Sequence, residues 1–526
     1  MKKAILLMSF VFSFMMTLAQ PTNTNITPTP SYFDGEPYLI MNPTNSQNLV
    51  AAWMSLKYAN GQLHIALKTR ASFNGGTTWN TAVTLPHFSS TYGSADPSMA
   101  FDKNGTLYVC YIDYRQSPDS GGIYVSRSAN GGLTWDTPSK AFDVYDVANK
   151  RPIDRPWLVV DTSSTANAGT LYITTKPAPW IPAPNRNYYK VSTDGGHTWS
   201  TIANVDGGTH LVGSLIAAPM AAPATTVDGK FIAAYPSFLA SQNPLPAFYL
   251  ATSTDKGQTF TYTTIYSGVA SANDTNYKNG YRLAADPIDA NKMVFLTPGA
   301  QNGDDDVFAF NSTNGGQTWT GPIRINDDAV SNGKGQDMVW GNYNEQGKLA
   351  VTWRDRRNAS ANGFLNAGYD FYYALSNDNG LTFTANQKLS SQFIAFDTLT
   401  ELNGNDFMSC EYRGDTLYTV WGDTRNGKMN IYFAKTLASI NTSIINTTLD
   451  GDEPQWNIFP NPASDELNVS ITNELIGKVA TVYDANGKVI ITKTMKENDV
   501  KIITKDLVKG IYFIKIGDDA RRFVKE

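Results

Sequence analysis

Apolar residues in this 526-residue chain come in short runs with turn-forming residues between them. Leu63–Thr69, Gly122–Arg127 and Phe371–Leu375 are typical, too short for helices and rich in β-branched and aromatic side chains. The pattern predicts an all-β protein of many short strands. One run differs. Ala4 to Met16 follows Lys2 and Lys3 and precedes Thr17-Leu18-Ala19. Residues 1–19 therefore read as a secretory signal peptide cleaved before Gln20. The run is shorter than the ~20 residues of a spanning helix. No later segment is apolar enough to cross a membrane.

Two repeats organise the middle. The first is Ser-x-Asp/Asn-x-Gly-x-Thr-Trp/Phe, at Ser72–Trp79, Ser128–Trp135, Ser192–Trp199, Ser253–Phe260, Ser312–Trp319 and Ser376–Phe383. Its six copies start 56 to 64 residues apart, a period that points to a propeller or solenoid. Each copy follows a strand-like run. Its Asp/Asn and Gly suit a tight turn, and its aromatic can pack back on neighbouring strands. The second repeat opens a strand upstream of each copy, near Glu36, Asp96, Asp154, Ala218, Gly280, Asp337 and Asp406. It has seven copies, and the last has no turn motif after it. We read seven four-stranded blades, closed by an outer strand from the segment around Thr22–Thr27. Six blades, with Asp406–Lys435 appended, is the alternative.

The turn motif resembles the Asp-box of sialidase-like β-propellers, and the resemblance spans about Glu36 to Lys435. It implies a β-propeller over residues 20–437. Asn74, Asn130 and Asn314 stand where the box usually has Asp, as at Asp194, Asp255 and Asp378. Asn makes the same turn contact but is no catalytic carboxylate, so the boxes read as structural.

The chain changes character after the repeats. Residues 438–455 are rich in Ser, Asn, Thr and Asp and read as a linker. Short strands then alternate with turns over residues 456–526, the pattern of a small Ig-like β-sandwich. This stretch resembles the C-terminal sorting domain of the type IX secretion system of Bacteroidetes-type bacteria. The resemblance rests on Pro460-Asn461-Pro462, Gly487-Lys488-Val489, Gly510-Ile511-Tyr512-Phe513 and the basic end Arg521-Arg522-Phe523-Val524-Lys525. It implies export through the outer membrane to the surface or the medium, with the type IX machinery as partner.

Composition narrows the options. Hydrophobic residues are 41%, aromatics 12% and charged residues only 17%, which excludes a disordered chain or a coiled coil. A net charge of −5 leaves no footprint for nucleic acid. The four His are scattered, so no His-based zinc site is expected. No cofactor motif is present. A structural cation such as calcium in the central channel is the one inorganic partner the acidic strand starts suggest. Cys110 and Cys410 fall in separate blades and are expected to be buried free thiols.

Strand order selects the face to search. In an antiparallel meander, the start of the first strand and the end of the second share one end of the blade. The boxes fall at the other. The first end carries Glu36, Asp96, Asp154, Arg155, Asp337 and Asp406, with Arg282 just inside blade 5. It also carries a recurring aromatic-x-Asp-x-Arg: Tyr111/Asp113/Arg115, Trp353/Asp355/Arg357 and Trp421/Asp423/Arg425. These are inter-blade ion pairs or a polar funnel for carbohydrate. The sialidase resemblance implies three arginines that clamp a carboxylate, a Tyr nucleophile with Glu, and an Asp acid. Yet Glu36-Pro37-Tyr38-Leu39-Ile40 occupies the place of the first clamp motif, Arg-Ile-Pro. Arg155, Arg282 and Arg357, with Asp154, are the remaining catalytic candidates. Three readings stand: a glycan-binding propeller, a sialidase or other glycoside hydrolase, and a surface protein-interaction propeller.

Overall fold

A computed structural model of the chain describes residues 21–28, 33–59, 62–115, 119–216, 218–239, 241–242, 245–268, 280–360, 367–395, 408–438, 456–484, 488–517 and 519–526. The expected signal peptide, most of the expected linker, Asp406 and Gly487 lie outside these residues. The chain divides into two compact units, Met1–Ile440 and Asn441–Glu526.

Among the described residues, the first unit holds seven four-stranded antiparallel sheets. Their innermost strands are Phe33–Asn42, Tyr92–Phe101, Asp154–Val160, Ala222–Thr225, Arg282–Ala285, Gln336–Tyr343 and Ser409–Arg413, which open blades 1 to 7. Each packs on the innermost strand of the next blade, and that of blade 7 packs on that of blade 1. The result is a closed ring, a β-propeller. Central strands such as Phe231–Ser237 and Leu349–Asp355 are buried at every position. A neighbouring blade covers each of their faces, so they need not alternate apolar with polar residues.

In blades 1 to 6 the four strands follow one another along the chain. Blade 7 takes its outer strand, Asn23–Asn25, from the far end of the sequence. That strand lies within the segment expected to close the ring. The Asn23 side chain fixes it: Nδ2 donates to the Leu389 carbonyl at 2.9 Å, and Oδ1 accepts from the Ser391 amide at 2.6 Å. Ile26 is buried beside it.

All six boxes are built alike. The Ser72 hydroxyl accepts from the Gly76 amide at 2.9 Å, and Asn74 Oδ1 accepts from the Thr78 amide at 2.8 Å. The box glycine then meets the preceding blade. A Cβ at Gly76 would lie 2.3 Å from Phe433 of blade 7, and one at Gly316 2.3 Å from Leu250 of blade 4. Only glycine permits that approach at these boxes, which clip their blades to the ones before them. Cys110 and Cys410 are both buried and free.

The second unit is a sandwich of two antiparallel sheets. One has three strands, Trp456–Phe459, Glu466–Ile471 and Asp499–Ile503, and the other has four, Val489–Thr494, Val479–Asp484, Gly510–Ile516 and Asp519–Lys525. Leu467, Val469, Val482, Ile514 and Phe523 fill the space between them.

Candidate functional site

At the end of the ring away from the boxes, four innermost strands begin with a bulge. Each bulge puts a non-glycine residue in the left-handed region: Glu36 at φ 54°, Asp96 at 53°, Arg155 at 49° and Met338 at 52°. Pro37, Pro97 and Pro156 follow three of them and disfavour the ordinary helical alternative. Such backbone costs on the order of 1–3 kcal/mol per residue and persists where the surroundings enforce it. Here a hydrogen-bonded chain does so. Glu36 Oε2 accepts from the Asp96 amide at 3.1 Å, and Asp96 Oδ2 accepts from the Arg155 amide at 2.9 Å. The chain runs from blade 1 through blade 2 to blade 3.

Asp154 joins this group and is paired with Lys176. Burial, and then the Asp154 charge, push the Asp96 carboxyl up to about 7. Tyr114 senses the same cluster. Burial and the charges of Asp96, Asp154 and Glu36 push its phenol up to about 12. Its ring lies 6.5 Å from that of Trp180, which is 51% exposed. An aromatic platform thus stands beside three carboxyl groups.

Next to them is a shallow depression lined by Arg155, Trp157, Met220, Gly280, Met338 and Trp340. Its floor is aromatic. Tyr38, Trp157 and Trp340 meet across the ring axis with centroids 5.2 to 6.3 Å apart. The Arg282 guanidinium lies 4.4 Å from the Trp340 ring centre. One layer further along the strands, Asn342 Nδ2 donates to Glu411 Oε2 at 3.2 Å. Burial pushes Glu411 up to about 8, against the pull of Arg282 and Arg413.

The aromatic-x-Asp-x-Arg motifs are closed modules. Asp355 Oδ2 accepts from the Trp353 indole and from Arg357, both at 2.8 Å, and Arg357 covers the Tyr372 ring at 4.4 Å. Blade 7 repeats this: Asp423 Oδ2 takes the Trp421 indole at 2.9 Å and Arg425 at 2.6 Å, and Arg425 covers Tyr432 at 4.4 Å. Blade 2 departs from the pattern. Asp113 accepts from the Phe88 amide at 2.7 Å and contacts His87 Nδ1 at 2.8 Å, while exposed Arg115 pairs with Asp119. Asp337 is fully buried and bound by Arg354 Nε at 2.7 Å and Arg356 Nη1 at 3.0 Å. Burial alone would raise its carboxyl, but the two guanidiniums outweigh that and hold it below the usual range.

Glu36, Asp96, Asp154 and Arg155 therefore come together at the mouth. Arg282 sits in the aromatic floor, and Arg357 is held in blade 6 by Asp327 and Asp355. Arg357, committed to Asp327 and Asp355, is thus apart from Arg282 over the Trp340 ring. Among the described residues, no group of three or more His, Cys, Asp or Glu is arranged to hold a metal ion.

Sequence reasoning missed several groups. Trp180 stands in the proline-rich stretch Lys176-Pro177-Ala178-Pro179-Trp180, an exposed aromatic after a strand, and that was its available signal. Asp305 belongs to the run Asp304-Asp305-Asp306; burial, then Asp337 and Asp304, push it up to about 6. Tyr114 fills the variable place between Asp113 and Arg115 of the blade 2 motif, and Glu411 follows Cys410 in a strand with no motif, so neither residue type was marked by the repeats.

Comparisons with known proteins agree with this architecture. Residues 117–358 match the model of the BNR repeat-like domain, and residues 457–526 match that of the secretion system C-terminal sorting domain. The chain thus carries a BNR repeat-like region within its propeller and a secretion system sorting domain at its C-terminal end. Among solved structures it is similar to a Hadza microbial sialidase, at 15% identity over 74% of this chain and 77% of that one, with a TM-score of 0.42. It is also similar to the alpha-L-arabinanase of Penicillium chrysogenum, at 11% identity over 79% and 98% of the two chains, with a TM-score of 0.42. A curated relative, the funoran endo-beta-hydrolase of Wenyingzhuangia aestuarii, is 28% identical over 86 residues, 16% of this chain. The chain spans 12% of that relative's length.

Proposed function

We propose that this protein is exported after signal-peptide cleavage at residue 19 and binds extracellular glycans at the mouth of its propeller. The sorting domain supports export to the surface or the medium. One observation carries the binding reading: exposed Trp180 lies against Tyr114, beside the Glu36, Asp96 and Asp154 carboxyls. A sugar needs a flat apolar surface for its ring and acceptors for its hydroxyls, and this juxtaposition offers both. The carboxyl cluster disfavours acidic sugars, so neutral or amino-bearing glycans are the expected ligands. The secreted full chain on an array of neutral, amino-bearing and carboxylated glycans tests this. Because Trp180 is exposed, Trp180→Ala should leave folding intact and weaken binding about tenfold. Equal binding by that variant would reject the mouth as the site.

Hydrolysis is the second reading, favoured by the raised Asp305 carboxyl. A glycosidase needs a protonated acid and a separate carboxylate, commonly ~5 to 9.5 Å apart. Asp96 is within hydrogen-bonding reach of Glu36 and Asp154, which is too close for that division of roles. Asp305, in a loop of blade 5, is the separate acid this reading requires. Asp305→Asn should then keep glycan binding and lower turnover about 100-fold.

A further inference from the structure

On the opposite face, two departures from the box pattern meet at one groove. The fourth box position always has a left-handed backbone. It is Gly75, Gly131, Gly195 and Gly315 in four blades, Asn379 in blade 6 and Lys256 in blade 4, at φ 61° to 72°. Glycine adopts this conformation freely and Asn tolerates it; Lys does neither. Asn379 uses its side chain, donating to the Ser312 carbonyl at 2.9 Å and accepting from the Tyr343 hydroxyl at 2.6 Å. Lys256 is half-buried and has no ion pair or side-chain hydrogen bond among the described residues.

The second departure is Trp199, the aromatic of the blade 3 box. Its indole N–H is buried and has no partner. In blade 2 the matching Trp135 donates to Thr69 Oγ1 of the preceding blade at 3.0 Å, and in blade 5 Trp319 donates to the Gly316 carbonyl at 3.1 Å. Valine, Val125, stands where blade 3 would need the counterpart of Thr69. Trp79 also lacks an acceptor, but there the indole packs edge-on against Phe433.

Trp199 and Lys256 line the same groove between blades 3 and 4, with Thr193, Thr198, Ser200 and Gln258, and its volume is about 450 Å³. Asp194 and Asp255 stand beside the groove but are not among the residues that line it, and each carboxylate is engaged by the threonine four residues on, Thr198 or Thr259. Among the residues that line the groove, the charged one is Lys256. We propose that this groove is a second carbohydrate subsite, one that takes an anionic sugar. The indole offers a face for the ring, the hydroxyl row offers partners for its hydroxyls, and Lys256 pairs with a carboxylate or sulfate. The subsite stands independently of the mouth, whose carboxyls favour the opposite charge.

Titration calorimetry of the full chain with polygalacturonate oligomers, dextran sulfate and neutral dextran tests it. The two anionic probes separate carboxylate from sulfate recognition. Lys256→Gly installs the residue most boxes use and relieves the backbone, so folding stability should hold or rise. Its affinity for at least one anionic probe should fall about tenfold at low salt, with dextran unaffected. Trp199→Phe, the aromatic of the blade 4 and 6 boxes at Phe260 and Phe383, should weaken the same probe several-fold. Wild-type affinity in Lys256→Gly, or no binding of either anionic probe by the parent chain, would overturn the proposal.

Discussion

The box end and the mouth end of the propeller are made from the same repeat, yet they handle charge and backbone in opposite ways. At the box end the left-handed positions mostly fall to glycine, and the carboxylates are saturated by their own turn. The Thr259 hydroxyl and amide draw Asp255 down to about 2, and Asp194 is pulled low in the same way by Thr198. At the mouth the left-handed positions fall to Glu36, Asp96, Arg155 and Met338, and the Asp96 carboxyl is pushed up. A uniform, self-satisfied motif is what a structural clip requires. Strained backbone and crowded like charges persist where the surrounding structure enforces them, and they cluster at functional sites, which is why the mouth is the candidate site.

The sharpest challenge to this contrast is Asp337, which opens its strand at the same bulge position as Asp154 but behaves as structure. Each is cross-strand from a cation, Arg354 for Asp337 and Lys176 for Asp154. Asp337 is buried together with both of its arginines. Asp337→Ala would strand two buried guanidiniums and should cost about 3–5 kcal/mol, read as a lower urea midpoint. A loss under about 1 kcal/mol would mean that the mouth holds no structural ion pairs and that the division drawn within it is wrong.

A smaller effect separates the two ends by sign. The folded-state Asp96 carboxyl titrates near 7, above its ordinary value of 3.8, so the folded chain binds the extra proton between those limits. Its contribution to stability is complete below the unfolded value and is lost as pH rises toward 7. Glu411, near 8, acts in the same direction up to that higher pH. The low box carboxylates act oppositely, losing stability as pH falls below about 4. Chemical denaturation at pH 5 and 8 should show a stability loss at pH 8 that Asp96→Asn reduces. An unchanged pH slope in that variant would place Asp96 outside the coupled cluster.

What could be read in advance follows the same division. The boxes and their spacing were visible because turn chemistry needs those residues in that order, whatever surrounds them. The closing strand at Asn23–Asn25 was legible by subtraction, since blade 7 lacked a fourth strand and the N-terminal segment was unclaimed. The site was legible only in part. Asp96 and Arg155 could be assigned to the correct end, but not that Asp96 accepts from the Arg155 amide across a bulge. Arg357 looked equivalent to Arg155 in sequence. It differs because the Trp353 indole and Asp355 form a closed module around it. Trp180 depends on a loop conformation that no repeat encodes.

The least effect is expected where the box end is most tolerant, and it tests the claim that the boxes are clips. Asn74 accepts from the Thr78 amide at 2.8 Å and donates Nδ2 to the Thr78 hydroxyl at 2.8 Å. In the blade 4 box the Asp255 carboxylate accepts from both groups of Thr259, at 2.9 and 2.6 Å. Asn74→Asp therefore only reverses the direction of one hydroxyl. Stability at pH 7 should change by no more than about 0.5 kcal/mol, and glycan binding at the mouth should not change. The introduced carboxylate should also acquire the lowered pKa of its neighbours. Any gain would then be full above about pH 4 and shrink as pH falls toward the folded value near 2, seen as a Tm difference between the two proteins at pH 7 that narrows at pH 3. A change in glycan binding would show that the two ends are coupled and that the boxes are more than clips.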